Sequence, residues 1–162
     1  MRLPCFPHWL EDDLAFLTRA QIQIQSLIDA VAGPRRGAVA TFVGLVRDHH
    51  GGRGVRALSY SAYDPMAEVV SAAIVAEAEV RWPVRVALQH RLGALEIGEI
   101  AVAVAVAGDH RDEAFSACRQ VIEELKRRVP IWKQETYADG SVDWVDPTTS
   151  EAVIHGLERP RS

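Results

Sequence analysis

Cysteine is scarce in this sequence of 162 residues, which contains only Cys5 and Cys118. The two lie far apart and neither belongs to a C-x-x-C pair, which argues against a zinc site and against a disulfide framework. Cys118 falls on the apolar face of a predicted helix, where a free cysteine usually serves as a small core residue. We therefore expect no metal, and no cysteine chemistry of the chain's own.

Long apolar segments are also missing. The longest, residues 100–108, is far shorter than the roughly 20 residues that a membrane-spanning helix needs. Near the N-terminus, Pro4 and Pro7 stand where a signal peptide would carry its apolar core, and three acidic residues follow at 11–13. We therefore expect a cytoplasmic protein without membrane association.

An excess of positive charge is missing too. The formal net charge is −4, so the surface as a whole does not attract nucleic acid or anionic lipid. Hydrophobic residues make up 48% and charged residues 25%, as in ordinary globular domains, and the length suits one core. We predict a single domain over residues 1–150 and a flexible tail over residues 151–162.

Hydrophobic periodicity predicts an α+β domain, in which a mostly antiparallel sheet carries two main helices. The glycine-rich residues 48–54 are expected to form a mobile loop. A short helix is predicted over residues 26–32, and the main helices are predicted to begin at Asp64–Pro65 and after Asp109, the second ending before Pro130. Predicted strands cover residues 21–25, 38–46, 55–63, 84–90 and 100–107, with a hairpin at 131–137 and 141–145.

The start of the second main helix is a candidate anion site. Asp109 is its predicted N-cap, which places His110 and Arg111 in the first turn. Free N–H groups and the positive end of the helix dipole favour an anion there, most naturally a phosphate. Because cations oppose that dipole, folding alone does not favour these two residues. The plainer interpretation is an exposed surface pair.

A second candidate is the basic segment around the end of the same helix. Lys126 lies in the last turn, where a cation is favoured by the dipole whether or not it has a function. Lys133 lies beyond Pro130, between apolar neighbours, and the dipole does not explain it. A lysine in such a setting can act as a nucleophile or in proton transfer.

Arg47 ends an apolar strand and enters the glycine-rich loop, where a solvated arginine is the ordinary interpretation. The loop lacks the spacing of a phosphate-binding loop or a dinucleotide fingerprint. The sequence shows no Ser-His-Asp arrangement and no cluster of metal ligands. Motif spacing alone therefore indicates only a small anion-binding α+β domain.

Five segments together resemble the large, catalytic subunit of molybdopterin synthase. They occur in that family's order and spacing, and the pairing of H-R-x-x-A-F with L-K-x-x-x-P-I-W-K-x-E is the most specific of them. The segments are G-A-V-A-T-F-V-G-L-V-R at 37–47, L-S-Y-S-A-Y-D-P-M-A at 58–67, H-R-L-G-A-L-E-I-G-E at 90–99, H-R-D-E-A-F at 110–115 and L-K-R-R-V-P-I-W-K-Q-E at 125–135. One departure is Ser61, where many relatives have an acidic residue.

The resemblance implies an α/β hammerhead fold with an additional small sheet. It also implies a homodimer within a heterotetramer, whose other partner is a ubiquitin-like small subunit ending in a Gly-Gly thiocarboxylate. Two sulfur transfers would convert cyclic pyranopterin monophosphate into the dithiolene of molybdopterin, without a cofactor. The alternatives are a non-catalytic phosphate- or nucleotide-binding adaptor of this fold and an RNA-binding module, which the net charge of −4 opposes.

The resemblance also assigns site residues. Lys126 corresponds to the main catalytic lysine and Lys133 to the second. Substrate contacts are implied for the basic residues Arg47, His110 and Arg111 and for the apolar residues Phe42, Pro130 and Ile131.

Overall fold

The structure is a computed structural model that describes residues 14–145 and 153–154. These residues form three helices and ten strands that make up two sheets. In chain order they are β1 Leu17–Thr18, α1 Ile24–Val31, β2 Ala38–Leu45, β3 His49–His50, β4 Arg53–Ala62, α2 Asp64–Arg81, β5 Val84–Arg91, β6 Gly93–Leu95, β7 Ile100–Gly108, α3 Arg111–Arg128, β8 Ile131–Tyr137, β9 Val142–Val145 and β10 Val153–Ile154.

The larger helices pack on a four-stranded sheet with the order β1-β5-β7-β2. Its long strands are antiparallel, and only the short β1 runs parallel to its neighbour β5. Helices α2 and α3 cover one face and α1 covers part of the other, so apolar side chains are buried on both sides. The predicted α+β class with two main helices is confirmed.

Strand β7 shows how the sequence builds this arrangement. Its even-numbered valines, from Val102 to Val106, enter the core beneath α2 and α3. Its odd-numbered alanines, from Ala103 to Ala107, pack with Leu27 and Val31 of α1. Small side chains on that face suit the short helix lying against them. The prediction of a central strand here is confirmed.

A second sheet lies beside the first, with the order β10-β9-β8-β4-β3 and with β6 also paired to β4. Strands β4 and β8 are antiparallel, which places Tyr60 opposite Lys133 and Leu58 opposite Glu135. Val46, Leu58, Leu95 and Ala101 form a small core that joins the two sheets. The additional sheet that the resemblance implies is therefore present.

The strand predicted over residues 21–25 is wrong, because helix α1 already begins at Ile24. The alternation of glutamine and isoleucine is too short to decide the structure. Ile24, Leu27 and Val31 follow at spacings of three and four, and this longer helical pattern buries Leu27 and Val31. The short helix predicted after it is confirmed.

The predicted N-caps, Asp109 for α3 and Asp64 for α2, are each wrong by one residue. Helix α3 begins at Arg111 with His110 as its N-cap, and no side chain caps it. The Asp109 carboxylate instead accepts a hydrogen bond from Arg36 at 3.2 Å. Helix α2 begins at Asp64 with Tyr63 as its N-cap, one residue earlier than an N-cap at Asp64 would place it.

The segment predicted as a mobile loop over residues 48–54 is a tight hairpin. Strand β3 pairs with the start of β4, and the turn between them is Gly51–Gly52. These two glycines have φ angles of 55° and 77°, which side-chain-bearing residues rarely adopt. The glycines therefore form a tight turn, and the hairpin places His50 in an edge strand of the second sheet.

The predicted domain limits stay predictions, because residues 1–13 and 146–150 lie outside the described part. Of the predicted tail, only Val153–Ile154 is described, as a strand paired with β9. Among the described residues, no helix combines the length and the apolar character needed to cross a membrane.

Candidate active site

A cavity of about 690 Å³ opens where the two sheets meet, beside the C-terminal end of α3. Each of its walls comes from a different part of the chain, namely the end of β2, strands β4, β5, β7 and β8, and the last turns of α3. Its apolar lining includes Leu45, Leu58, Val102, Leu125, Val129 and Ile131.

Four cationic side chains line this cavity, and one of them, Arg127, is paired with Glu124 of the same helix. Lys126 is exposed in the last turn of α3, Lys133 is partly buried on β8, and Arg47 is exposed just after β2. The Lys126 ammonium lies 5.9 Å from the centre of the Phe42 ring, within the range of a cation–π contact. Among the described residues, neither Lys126 nor Arg47 forms an ion pair, so both charges are available to an anion.

Lys133 differs, because it is paired with the buried carboxylate of Glu135. Its Nζ lies 2.7 Å from Oε1, while Oε2 accepts hydrogen bonds from His50 Nδ1 at 2.6 Å and from the Tyr137 hydroxyl at 2.8 Å. Burial alone would raise the pKa of Glu135, but the hydrogen bonds from Lys133, His50 and Tyr137 outweigh it and lower the pKa. Glu135 is therefore an anion that fixes Lys133 at the cavity wall.

Two further polar side chains at the cavity are neutral. Burial, with the nearby charge of Glu135, raises the pKa of Tyr60 to about 12. Burial lowers the pKa of His90 to about 4, against a hydrogen bond from its Nδ1 to the Arg91 carbonyl at 2.9 Å. The Tyr60 and His90 rings pack edge to face, with their centroids 4.8 Å apart. At neutral pH they offer hydrogen bonding without charge, so these two residues add nothing to the positive charge of the lysines and Arg47.

The structure brings most of the predicted site residues together. Lys126, Lys133, Arg47 and Ile131 line the cavity. The Phe42 ring lies beside Lys126, and Pro130 lies between two residues of the cavity wall.

His110 and Arg111 are not in this group. They are exposed at the opposite end of α3 from Lys126. A helix rises about 1.5 Å per residue, so Arg111 and Lys126 are separated by about 22 Å along the axis. Within one chain, His110 and Arg111 therefore cannot contact a small molecule held by the two lysines.

Sequence reasoning missed four polar residues of the site, namely His50, Tyr60, His90 and Glu135. One signal was present for Glu135. Lys133, Glu135 and Tyr137 alternate along β8 and so share one face. The contact with His50 had no such signal, because it joins positions 85 residues apart.

No three His, Cys, Asp or Glu side chains converge on a possible metal site within residues 14–145. Cys118 is buried, and burial raises the pKa of its thiol to about 11, which leaves it protonated and a poor nucleophile. Among the described residues, no cysteine is thus suited to carry sulfur.

Glu135→Gln should destabilise the fold, because it leaves the Lys133 ammonium without its carboxylate. We expect a loss of about 2–4 kcal/mol at pH 7. Since the pKa of Glu135 is lowered on folding, its contribution is present above the unfolded value of 4.5 and is lost as the pH falls below it. Urea unfolding at pH 7 and pH 4 should show the two proteins converging at low pH.

Glu123→Gln is the matched control, because Glu123 is exposed and pairs with Arg119 one turn earlier in the same helix. It should change stability by less than about 0.5 kcal/mol. A Glu135→Gln protein as stable as the control at pH 7 would contradict the assigned role of the carboxylate.

Comparison with known proteins identifies the family of this chain. The family model described as MoaE protein matches residues 17–128, a range that includes Lys126 but ends before Lys133. A molybdopterin synthase catalytic subunit from Nostoc sp. is 41% identical over 138 residues, covering 84% of this chain and 83% of the relative.

Solved structures show the same likeness. Molybdopterin synthase from Staphylococcus aureus matches with a TM-score of 0.76 and 37% identity, covering 80% of this chain and 94% of the other. A complex of subunits 1 and 2 of molybdopterin-converting factor from Helicobacter pylori matches with a TM-score of 0.56 and 26% identity, covering 65% and 69%. The chain belongs to the MoaE protein family, that of the molybdopterin synthase catalytic subunits.

Proposed function

We propose that this chain transfers sulfur from the C-terminal thiocarboxylate of a ubiquitin-like small subunit to cyclic pyranopterin monophosphate. Two transfers form the dithiolene of molybdopterin, and each consumes one thiocarboxylate. The observation that carries the proposal is the cavity lined by Lys126, Lys133 and Arg47, since both the sulfur donor and the phosphate-bearing acceptor are anions. The Helicobacter pylori complex of two subunits supports a small-subunit partner.

The two lysines suit different parts of this chemistry. Lys126 has no ion pair among the described residues, so it can stabilise the negative charge that develops as sulfur leaves the thiocarboxylate carbon. Lys133 is held by Glu135 at 2.7 Å and can deliver or accept a proton as the pterin ring system opens. Phe42, Pro130 and Ile131 supply apolar surface beside them, which limits competing hydrolysis by water.

A Gly-Gly terminus suits a cavity of this kind, because glycine lets a backbone approach closely where a side chain would collide. Arg47 at the rim can contact the phosphate or the pterin. In the proposed homodimer this arginine could serve either its own cavity or that of the second protomer.

His110 and Arg111 can contact the same substrate only if they come from a second protomer. On one chain, the length of α3 places them about 22 Å from Lys126. The proposed homodimer removes this difficulty if it brings the start of one α3 to the cavity of the other protomer. A phosphate held there would meet the free N–H groups of the helix as well as the two basic side chains.

Arg111→Ala should mainly weaken substrate binding, because its proposed partner is the phosphate. We expect the substrate Kd to rise about 10-fold or more, the loss of one charge-assisted hydrogen bond. Isothermal titration of the dimer with substrate would measure it. Arg119→Ala, an exposed cation on the same helix, is the control and should bind like wild type. An unchanged Kd for Arg111→Ala would exclude the phosphate contact.

The deciding experiment is reconstituted turnover. Purified protein is mixed with a thiocarboxylated Gly-Gly small subunit and cyclic pyranopterin monophosphate, and molybdopterin is detected as its fluorescent oxidation product. Product that depends on Lys126 would establish the activity. A bound small subunit without product would indicate an inactive or regulatory relative. Failure to bind the small subunit would favour the phosphate-binding adaptor or a wrongly chosen partner.

A further inference from the structure

His50 makes a contact that the proposed chemistry does not yet use. Its Nδ1 lies 2.6 Å from Oε2 of Glu135, so the contact joins β3 to β8, the two strands that pair with β4. Both side chains are largely buried, with exposed fractions of 14% and 3%. Its neighbour His49 is 65% exposed and bonds to the adjacent Asp48. Two consecutive histidines on one hairpin therefore have quite different surroundings.

The two oxygens of the Glu135 carboxylate have different partners. Oε2 accepts hydrogen bonds from His50 and from Tyr137, while Oε1 is the atom that meets Lys133. An ionised carboxylate only accepts hydrogen bonds, so Nδ1 of His50 must carry the proton. Two donors on Oε2 fix the plane of the carboxylate, and that plane sets where Oε1 holds the ammonium group.

The hairpin does not depend on His50 for its own position. Arg53 pairs with Asp143 at 2.8 Å, and the backbone N–H of Ala138 donates to the Gly54 carbonyl at 2.8 Å. These contacts tie the hairpin to the second sheet at a different point. The imidazole of His50 can thus be removed without releasing the hairpin, and its contact is directed at the carboxylate rather than at the fold.

We propose that His50 is a positioning residue for Lys133, acting through Glu135. Its hydrogen bond to Oε2 orients the carboxylate so that Oε1 holds the Lys133 ammonium at the cavity wall. The proposal rests on the proposed function only where it assigns Lys133 to sulfur transfer. The position of the ammonium group itself can be measured without any turnover.

The test compares three variants in the full complex with the small subunit. His50→Leu removes the donor and keeps an apolar side chain. His50→Asn retains an N–H donor at the same number of bonds from Cα as Nδ1. Arg56→Leu, at an exposed position on β4 of the same hairpin that does not line the cavity, is the control. We expect His50→Leu to lower kcat about 10-fold with KM within about twofold, since a hydrogen bond to a charged group is lost. His50→Asn should recover most of the loss, and Arg56→Leu should match wild type.

A second readout follows the ammonium group directly. In nitrogen-15 lysine-labelled protein, a hydrogen-bonded, partly buried ammonium gives a slowly exchanging proton signal, assigned here by its loss in Lys133→Arg. The signal should be present in wild type and His50→Asn and should broaden or vanish in His50→Leu.

A sharp Lys133 signal in His50→Leu together with wild-type kcat would overturn the proposal. Equal impairment of a folded His50→Asn would overturn it as well, because the donor would then be irrelevant. If the wild-type complex makes no product at all, the proposed function fails, while the ammonium signal still decides the positioning contact.

Discussion

Lys126→Ala is expected to lower product formation about 100- to 1000-fold, the range found when one group that stabilises a developing charge is removed. The side chain lies in the last turn of α3, is exposed, and forms no ion pair among the described residues. Its removal should therefore cost less than about 1 kcal/mol of stability, mostly through the lost interaction with the helix dipole. Single-turnover assays with thiocarboxylated small subunit would measure the chemical step apart from partner binding.

Two further variants define what the lysine contributes. Lys126→Arg keeps the positive charge but cannot exchange a proton near neutral pH, so partial activity would indicate electrostatic stabilisation and full inactivity would indicate proton transfer. Arg119→Ala removes an exposed cation of the same helix, which pairs with Glu123 at 2.9 Å outside the cavity, and should stay within about threefold of wild type. A folded Lys126→Ala protein with near-normal turnover would remove Lys126 from the mechanism.

The fold could be predicted from the sequence where a pattern was long and buried on both sides. Strand β7 is the clearest example, because its alternation of valine and alanine runs over the whole strand and each side meets a different helix. The wrong secondary-structure predictions are those that rested on only a few residues. The short alternation at residues 21–25 and the single acidic residue Asp109 were both overruled by neighbouring structure.

The site was less predictable, because its geometry depends on contacts between distant segments. Lys126 and Lys133 could be named by resemblance, but the pairing of β4 with β8 is what places Tyr60 and Lys133 side by side on the cavity wall. In the sequence, nothing distinguishes Glu135 from the other charged residues of this basic segment. Its role follows from burial and from three donors, one of which lies 85 residues away.

The separation of Arg111 from Lys126 already follows from the predicted helix that contains both residues. Each fits the chemistry of an anionic substrate, and the resemblance assigns both to one site. Within one chain the helix argues against a shared site, since these two residues are about 22 Å apart along its axis. If both residues serve one substrate, the active site is built from two protomers.

Mixing two defective variants should then restore activity. In Lys126→Ala, the cavity lacks its main lysine, and in a His110→Ala/Arg111→Ala double variant, the phosphate contacts are missing. Random reassociation of equal amounts makes half of the dimers mixed, and in each mixed dimer one of the two sites has an intact lysine and intact contacts. We therefore expect about a quarter of wild-type activity at low substrate concentration, from a pair of proteins that are each almost inactive.

An arrangement in which each site is built from one protomer predicts a different activity for the mixture. If each site drew both groups from the same protomer, every site in a mixed dimer would carry one defect, and activity would stay at the level of the parent variants. Mixing without reassociation is the control, because unexchanged dimers should show no gain under either arrangement. A gain that appears only after exchange would place Lys126 of one protomer and Arg111 of the other around one substrate. No gain after demonstrated exchange would remove His110 and Arg111 from the site that Lys126 serves.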